Sequence, residues 1–343
     1  MPRSERSSVS NVQIAGVAAY LPPLVRTSRE VEEMVRQNSP GVLIPPGIIE
    51  ALTGIQSRRV AAEGVYSSDL AAEAARRVLE STGTHPDEVD LLIFASASQD
   101  LAEPATANIV QEKVGTCCPV LDLKNACNSF LNAVQVAESL ILAGAYRKVL
   151  IAVGEIPSRG TRWSVSDRAA FKRSFLGYTL GDAGAAALLT PSANGPGILH
   201  CSFKTVSRHW NIATVAGGGT MHPRGDEFSY LEGDGNELQR VFEEIGPSLL
   251  LDALKATGTQ ATDYRRILVH QVSVPALNSF LEISGVPGDR VVVTVPQLGN
   301  MVAASMPVGF ALAEERGEIS RGDLLMWIGL AAGASLGIIL MQY

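Results

Sequence analysis

Cys127, His270 and Asn300 supply a nucleophile and two hydrogen-bonding groups, the side chains that chemistry on a thioester requires. Cys127 lies where a strand-like run gives way to a helix, in Val120-Leu121-Asp122-Leu123-Lys124-Asn125-Ala126-Cys127-Asn128-Ser129-Phe130-Leu131. A thiol at the N-terminal end of a helix meets unpaired backbone N–H groups and the positive end of the dipole, which favour thiolate over thiol. His270 follows the apolar run Arg266-Ile267-Leu268-Val269, and Asn300 follows Val291-Val292-Val293-Thr294-Val295 after a Pro-Gln-Leu-Gly link. Both are therefore expected at strand exits, where active-site residues of open sheets gather. A His and an Asn aimed at the carbon next to a thioester could donate hydrogen bonds to a forming enolate or oxyanion while Cys127 carries the acyl group. Each residue taken alone also has a plainer reading. Free Cys is among the most buried residue types, a His at a strand end is often a satisfied structural group, and an Asn after Gly is often a turn residue. Their joint placement favours chemistry.

The elements that must hold these residues can be read from periodicity. The helix after Cys127 is expected to run to about Leu142 and stop at Gly144, a residue suited to the left-handed conformation that ends helices. Asn128, Asn132, Gln135 and Ser139 fall at steps of four and three, forming one narrow polar stripe on an apolar cylinder, so this helix should be largely buried. The chain also repeats itself. Residues 81–94 parallel residues 256–269 at an offset of 175, each reading as helix end, turn and buried strand. The same offset carries Cys127 to Val302, beside Asn300, and Leu150 to Leu325 in a second apolar run. Upstream of each copy a helix is expected, one capped by Ser68 and stopped at Gly83, the other running from Leu249 to a stop at Gly258. Apolar runs at 148–153 and 324–330, separated by helical patterns, predict strands buried on both faces between helix layers. The expected organisation is α/β with two similar halves, 1–193 and 194–343, divided in the Ser, Asn, Gly and Pro cluster from Pro191 to Pro196.

Composition excludes several classes of partner. With 46% hydrophobic and 18% charged residues in 343, the chain can bury a large core, as two domains or one duplicated one. A net charge of -7 leaves no basic footprint for nucleic acid or anionic membrane. No stretch reaches the length of a bilayer span, and Met1 to Ser10 leads into no apolar signal core, so the cytoplasm is the expected compartment. Four cysteines, with Cys117 and Cys118 adjacent and Cys201 isolated, fit neither a disulfide framework nor a zinc site. The glycines at 181–184 and 217–219 lack the strand-GxGxxG-helix context of a nucleotide site and read as close packing and a loop. No metal or other cofactor is implied.

At this point the chain resembles a known family. Asn125-Ala126-Cys127-Asn128-Ser129-Phe130, His270-Gln271-Val272-Ser273 and Gly299-Asn300-Met301-Val302-Ala303-Ala304-Ser305-Met306-Pro307 are similar, in order and spacing, to the Cys, His and Asn blocks of the 3-oxoacyl-acyl-carrier-protein synthase III group of the thiolase superfamily. Thr53-Gly54-Ile55, Arg58-Arg59, Gly181-Asp182-Ala183-Gly184-Ala185-Ala186 and Gly329-Leu330-Ala331-Ala332-Gly333 support the likeness. The resemblance implies a duplicated, five-layered αβαβα thiolase fold, a homodimer, an acyl-Cys127 intermediate and acyl thioester substrates on acyl carrier protein or coenzyme A. It also implies an oxyanion hole made by the backbone N–H groups of Cys127 and Ala332.

Departures from the priming synthases refine the expectation. The Trp that members using coenzyme A often place before the Thr-Gly-Ile block is missing from residues 41–52, which adds weight to a carrier-protein substrate. Leu101-Ala102-Glu103-Pro104 resembles the block of head-to-head condensing enzymes of olefin synthesis and of α-pyrone-forming ketosynthases, in which a glutamate reaches into the partner subunit's site. Joining two acyl chains without decarboxylation requires a base for the α-proton, and a desolvated carboxylate can serve. Without that resemblance, Glu103 reads as a surface acid beside a proline. The expected activity is non-decarboxylative Claisen condensation with Cys127, His270, Asn300 and Glu103 in the site, leading to an α-pyrone. The alternatives are a decarboxylative synthase using a malonyl thioester, acyl transfer to an alcohol or amine, and a non-catalytic dimer partner, against which the retained Cys, His and Asn argue.

Overall fold

A computed structural model of the protein describes residues 11–192, 195 and 197–343. From the amino end, β1 (Asn11–Tyr20) leads into a ribbon of β2 (Leu24–Thr27) and β3 (Ser57–Val60) that brackets α1 (Ser28–Asn38) and α2 (Ile48–Thr53). There follow α3 (Ser67–Ser81), β4 (Leu91–Ala95), α4 (Thr106–Val114), β5 (Val120–Leu123), α5 (Ser129–Leu142), β6 (Val149–Glu155), α6 (Arg168–Arg173) and β7 (Ala183–Ser192). Beyond them the chain forms β8 (Ile198–Thr205), the hairpin strands β9 (Ala213–Val215) and β10 (Leu231–Gly233), α7 (Gly235–Thr257) and β11 (Arg266–Val269). Last come α8 (Val274–Ser284), α9 (Val295–Leu298), α10 (Ser305–Glu315), β12 (Leu324–Ala331) and β13 (Ser335–Gln342).

Two sheets organise the molecule, in the orders β1-β7-β6-β4-β5 and β8-β13-β12-β11. In the first, β4 pairs in parallel with β5 and β6, while β7 is antiparallel to β6 and β1; in the second, β11 and β12 are parallel and β13 is antiparallel to β12 and β8. The offset of 175 carries Leu91 onto Arg266 and Val149 onto Leu324, the first residues of β4 and β11 and of β6 and β12. Every residue of β4 and β6 is buried, as expected for strands covered on both faces.

The layers follow from what each face must cover. Helices α3 and α4 pack their alanine- and valine-rich sides on the outer face of the first sheet. Leu250 and Ala253 of α7 and Leu277 of α8 pack on the outer face of the second. Between the sheets lie α5 and α10, whose Phe130 and Phe310 rings both rest against Trp327 of β12, at centroid distances of 5.5 Å and 5.6 Å. The result is the αβαβα arrangement that the family resemblance implies.

Local details depart from expectation in three places. The helix expected from Leu249 begins at Gly235, capped by Asp234, and still stops at Gly258. Ser68 is not a cap: α3 begins at Ser67, Asp69 accepts from the Tyr66 N–H at 2.8 Å, and the Ser68 hydroxyl donates to Asp100. Residues 291–295 form no strand, only a single bridge from Val291 to Ile267 followed by α9. The side chain of Gln271 explains this. Its Oε1 accepts from the Thr294 and Val295 N–H groups and its Nε2 donates to the Val292 carbonyl at 2.7 Å, taking the place of a neighbouring strand. The expected boundary at 193/194 and the segment Met1 to Ser10 lie outside the described residues. Among the described residues no helix is long and apolar enough to cross a membrane.

Candidate active site

Cys127 sits on a tight turn between β5 and α5. The Asn125 N–H donates to the Ser129 hydroxyl at 2.8 Å, and that hydroxyl donates to the Ala126 carbonyl at 2.7 Å, drawing the turn closed around the cysteine. Ala126 is held at φ 47°, a left-handed conformation unfavourable for a residue with a Cβ. Among the described residues only Val302 and Ala334, both at φ 52°, share this feature without being glycine. One of the three precedes Cys127, one lies two residues after Asn300 and one two residues after Ala332. Backbone strain therefore collects at the three turns that form the site.

The turns are tied together by buried amides. Asn128 Nδ2 donates to the Ser335 carbonyl at 2.9 Å, and Asn125 Nδ2 donates to Asn132 Oδ1 at 2.7 Å and to the Ser335 hydroxyl at 3.3 Å. These bonds join the Cys127 turn to the hairpin Ala332-Gly333-Ala334 between β12 and β13. The backbone N–H groups of Ala332 and of Cys127 itself lie on the thiol's side of this turn, where they act to lower its pKa. Asn300 follows Gly299, whose φ of 66° and close approach to the Thr179 carbonyl leave no room for a side chain. The Val302 N–H donates to Asn300 Oδ1 at 3.0 Å, so the amide is oriented and its Nδ2 has no acceptor among the described residues. His270 leaves β11 with its N–H bonded to the Ile328 carbonyl at 2.9 Å, and neither ring nitrogen has a protein partner there.

Cys127, His270, Asn300 and Ala332 all line one cavity of about 760 Å³, whose walls continue through Leu238, Phe242, Leu277, Phe280, Leu336 and Ile338 of the second half. Such a space suits an acyl chain whose carbonyl lies at the sulfur. Burial pushes His270 down to about 4, so its imidazole is neutral at physiological pH and can donate a hydrogen bond without carrying charge. The Cys127 thiol behaves otherwise than the helix start suggests. Burial first and the charge of Glu155 second push it up to about 12, against the lowering pull of the Ala332 and Cys127 N–H groups. The positive end of α5 is outweighed because the thiol is desolvated and has an acid beside it.

Glu155, at the end of β6, is the residue that sequence reasoning missed. It is fully buried, lines the same cavity, and is pushed up to about 7 by burial, with hydrogen bonds from Ala97, Ser98 and Ala303 opposing. Its signal was an acid closing the uninterrupted apolar run Val149-Leu150-Ile151-Ala152-Val153-Gly154. Glu103, by contrast, is exposed on the loop before α4 and is not part of the cavity wall. Within one chain, Cys127, His270, Asn300 and Ala332 come together and Glu103 does not. The glycines at 181 and 184 are close-packing positions: a Cβ at Gly181 would meet the Leu298 carbonyl at 2.1 Å and one at Gly184 the Leu70 carbonyl at 2.1 Å.

Comparison with known proteins shows the family to which the chain belongs. Residues 121–207 match the family 3-oxoacyl-(acyl-carrier-protein) synthase III, and residues 254–343 match the C-terminal part of the same family. Beta-ketoacyl-(acyl-carrier-protein) synthase III of Thiobacillus denitrificans is 31% identical over 339 residues, spanning 96% of this chain and 99% of that protein. The protein of the same name from Syntrophomonas wolfei is 28% identical over 338 residues, spanning 97% of each. Among solved structures, OleA of Xanthomonas campestris superimposes with a TM-score of 0.88 at 24% identity, covering 98% of this chain and 99% of that one, a likeness of fold. One OleA structure holds bound lauric acid and lauroyl-CoA. The chain belongs to the 3-oxoacyl-(acyl-carrier-protein) synthase III family and is a ketosynthase of the thiolase superfamily.

Proposed function

We propose that this ketosynthase joins two acyl or β-ketoacyl thioesters by non-decarboxylative Claisen condensation. The convergence of Cys127, His270, Asn300 and Ala332 on one largely apolar cavity carries condensation through an acyl-Cys127, and the Leu-Ala-Glu-Pro resemblance around Glu103 carries the choice of proton abstraction over decarboxylation. In the first half-reaction the Cys127 sulfur attacks the carbonyl of an acyl thioester, whose oxyanion is held by the Cys127 and Ala332 N–H groups, and the carrier leaves as a thiol bearing the proton. In the second, a base removes the α-proton of another thioester and the enolate oxygen is held by His270 and Asn300 Nδ2. The α-carbon then attacks the acyl carbon, and the Cys127 thiolate departs and regains a proton. No carbon dioxide is released. Two β-ketoacyl substrates give a product able to close to an α-pyrone.

Glu103 is the base in this proposal, supplied by the second subunit of a homodimer. What supports it is the resemblance of its Leu-Ala-Glu-Pro block, its exposure outside its own chain's cavity, and its loop beside β5, the edge strand of the first sheet. Asp122 of that strand anchors the start of α4 by accepting from the Thr106 and Ala107 N–H groups at 2.9 Å and 2.8 Å. A second reading, a decarboxylative synthase drawing its carbanion from a malonyl thioester, is favoured by the names of the similar curated proteins.

The test is coupling of acyl thioesters in the absence of malonyl thioester, on acyl carrier protein and on coenzyme A, by the native protein and by Glu103→Gln. The variant removes basicity while keeping shape, so it should load Cys127 and form no coupled product. Strict dependence on malonyl thioester with release of carbon dioxide would establish the second reading instead.

A further inference from the structure

Glu155 holds three segments of the site together. Its Oε1 accepts from the Ala97 N–H at 2.7 Å, and its Oε2 accepts from the Ser98 N–H at 3.1 Å and from the Ser98 hydroxyl at 2.7 Å. The turn at Val302–Ala304 packs against β6, and the Ala303 N–H there acts to lower the pKa of the carboxyl. Ser98 Oγ in turn accepts from the Ile156 N–H at 3.1 Å. The carboxylate thus joins the β4 exit, the end of β6 and the turn that carries Asn300 and the strained Val302. All of these partners are donors, an arrangement that suits an acceptor-only group, the ionised carboxylate, and not an amide.

No cation bonds to Glu155 among the described residues. The other charged groups of the cavity wall are engaged elsewhere. Asp100 bonds Ser68, Lys124 bonds Gln99, Arg159 bonds the Ala62 and Val65 carbonyls, and Glu243 bonds Gln239 and Ser279. His270 shares the wall as a neutral ring, and Tyr66 lines it as well. The ionisable group that feels the charge of Glu155 is the thiol of Cys127.

We infer that Glu155 is a positioning residue: its carboxylate pins the Asn300 turn to the β4 exit, and its charge gates ionisation of the Cys127 thiol. The inference rests on Cys127 being the acylated nucleophile. While Glu155 is ionised the resting thiol keeps its proton. Once acylated, Cys127 carries no charge to oppose, and the thiolate expelled in condensation is driven to take up a proton again.

The experiment is the pH profile of Cys127 alkylation by iodoacetamide, read by intact mass and peptide mapping, between about pH 5.5 and pH 9 where thiolate supply limits the rate. In the native protein the logarithm of the rate should climb with a shoulder near the pH at which Glu155 ionises, because above it the new charge suppresses thiolate. In Glu155→Gln the shoulder should vanish, the two profiles meeting in acid and diverging above pH 8. One unit off the thiol pKa raises thiolate tenfold but weakens its nucleophilicity, for a net gain of about threefold in rate. Superimposable profiles, or a native profile without a shoulder, would overturn the inference. If Glu155→Gln does not fold by circular dichroism, Ser98→Ala removes a donor that pulls the Glu155 carboxyl down, and the shoulder should move to higher pH; an unmoved shoulder is again decisive against it. Acyl loading measured in parallel separates the two readings. A shifted profile without acyl loading sinks the proposed function alone, and loading without a shoulder sinks the role of Glu155 alone.

Discussion

With its thiol pushed up to about 12 by burial and the neighbouring Glu155, Cys127 in the resting protein keeps its proton at neutral pH. Attack on a thioester must therefore be coupled to proton loss, and the N–H groups on the thiol's side of the turn are placed to hold the carbonyl oxygen as it gains charge. The other cysteines do not compete. Burial raises the Cys118 and Cys201 thiols, the latter also beside Glu138, and Cys117 lies on the surface away from the cavity. Acyl thioester should therefore add mass to Cys127 alone, and Cys127→Ala should not load; a peptide map that places the acyl group on another cysteine refutes this. His270→Ala and Asn300→Ala should load normally and lose on the order of a hundredfold in condensation, since each removes one donor to the enolate. His270 also makes a stability prediction. Its folded pKa of about 4 lies below the ordinary 6.5, so its contribution is complete above pH 6.5 and is lost as pH falls toward 4. At pH 5 the loss is about 2 kcal/mol relative to pH 7, and urea titrations should show His270→Asn spared that part of the acid sensitivity. The positions of Cys127, His270 and Asn300 were legible as ends of apolar runs. The thiol's ionisation was not, because it depends on burial and on Glu155, which lies 28 residues away in the chain and beside it in space.

The elements position these residues through glycines and turns more than through helix ends. At Gly329 of β12 a Cβ would meet Asn128 Oδ1 at 1.9 Å, so the strand can lie against the Cys127 turn only if that residue has no side chain. Gly329→Ala should displace Asn128 from Ser335, misplace the Ala332 N–H, and lower the rate of acyl loading while condensation from preloaded enzyme suffers less. Loading at the native rate would show that the clamp between Asn128 and Ser335 does not set the oxyanion hole. At Gly154 a Cβ would meet the Ser67 carbonyl at 1.9 Å, so Gly154→Ala should force α3 away from β6 and destabilise the fold by about 3 kcal/mol in a denaturant titration. The sequence marked α5 well: the structure runs it from Ser129 to Leu142 with Gly144 at φ 66°. It misled at residues 291–295, where a β-branched run reads as a strand. There a side chain, Gln271, satisfies the backbone, and no propensity scale anticipates a partner 20 or more residues upstream.

At the scale of the molecule, the duplication places the Cys127 turn and the Asn300 turn at equivalent exits, with Ala126 and Val302 sharing the same left-handed conformation 176 residues apart. The repeat was legible because buried parallel strands leave uninterrupted apolar runs at a fixed offset. The halves differ where function requires. The first has β5 as a fifth strand at its edge, and the second has only the bridge at Val291. An open edge beside the Glu103 loop is the feature on which the proposed homodimer turns, since paired edges would remove the unpaired backbone groups and carry each Glu103 toward the other subunit. That geometry has a consequence for mixed dimers. A Cys127→Ala chain keeps Glu103, and a Glu103→Gln chain keeps Cys127, so neither homodimer should condense acyl thioesters. In a heterodimer purified through two different tags, the site containing the intact Cys127 receives the intact Glu103 from the other chain, while the second site has neither. It should show about half the native condensation activity per dimer, as expected for one working site of two in a twofold assembly. An inactive heterodimer that still loads its single Cys127 would place the base within the chain it serves and remove Glu103 from the partner's site.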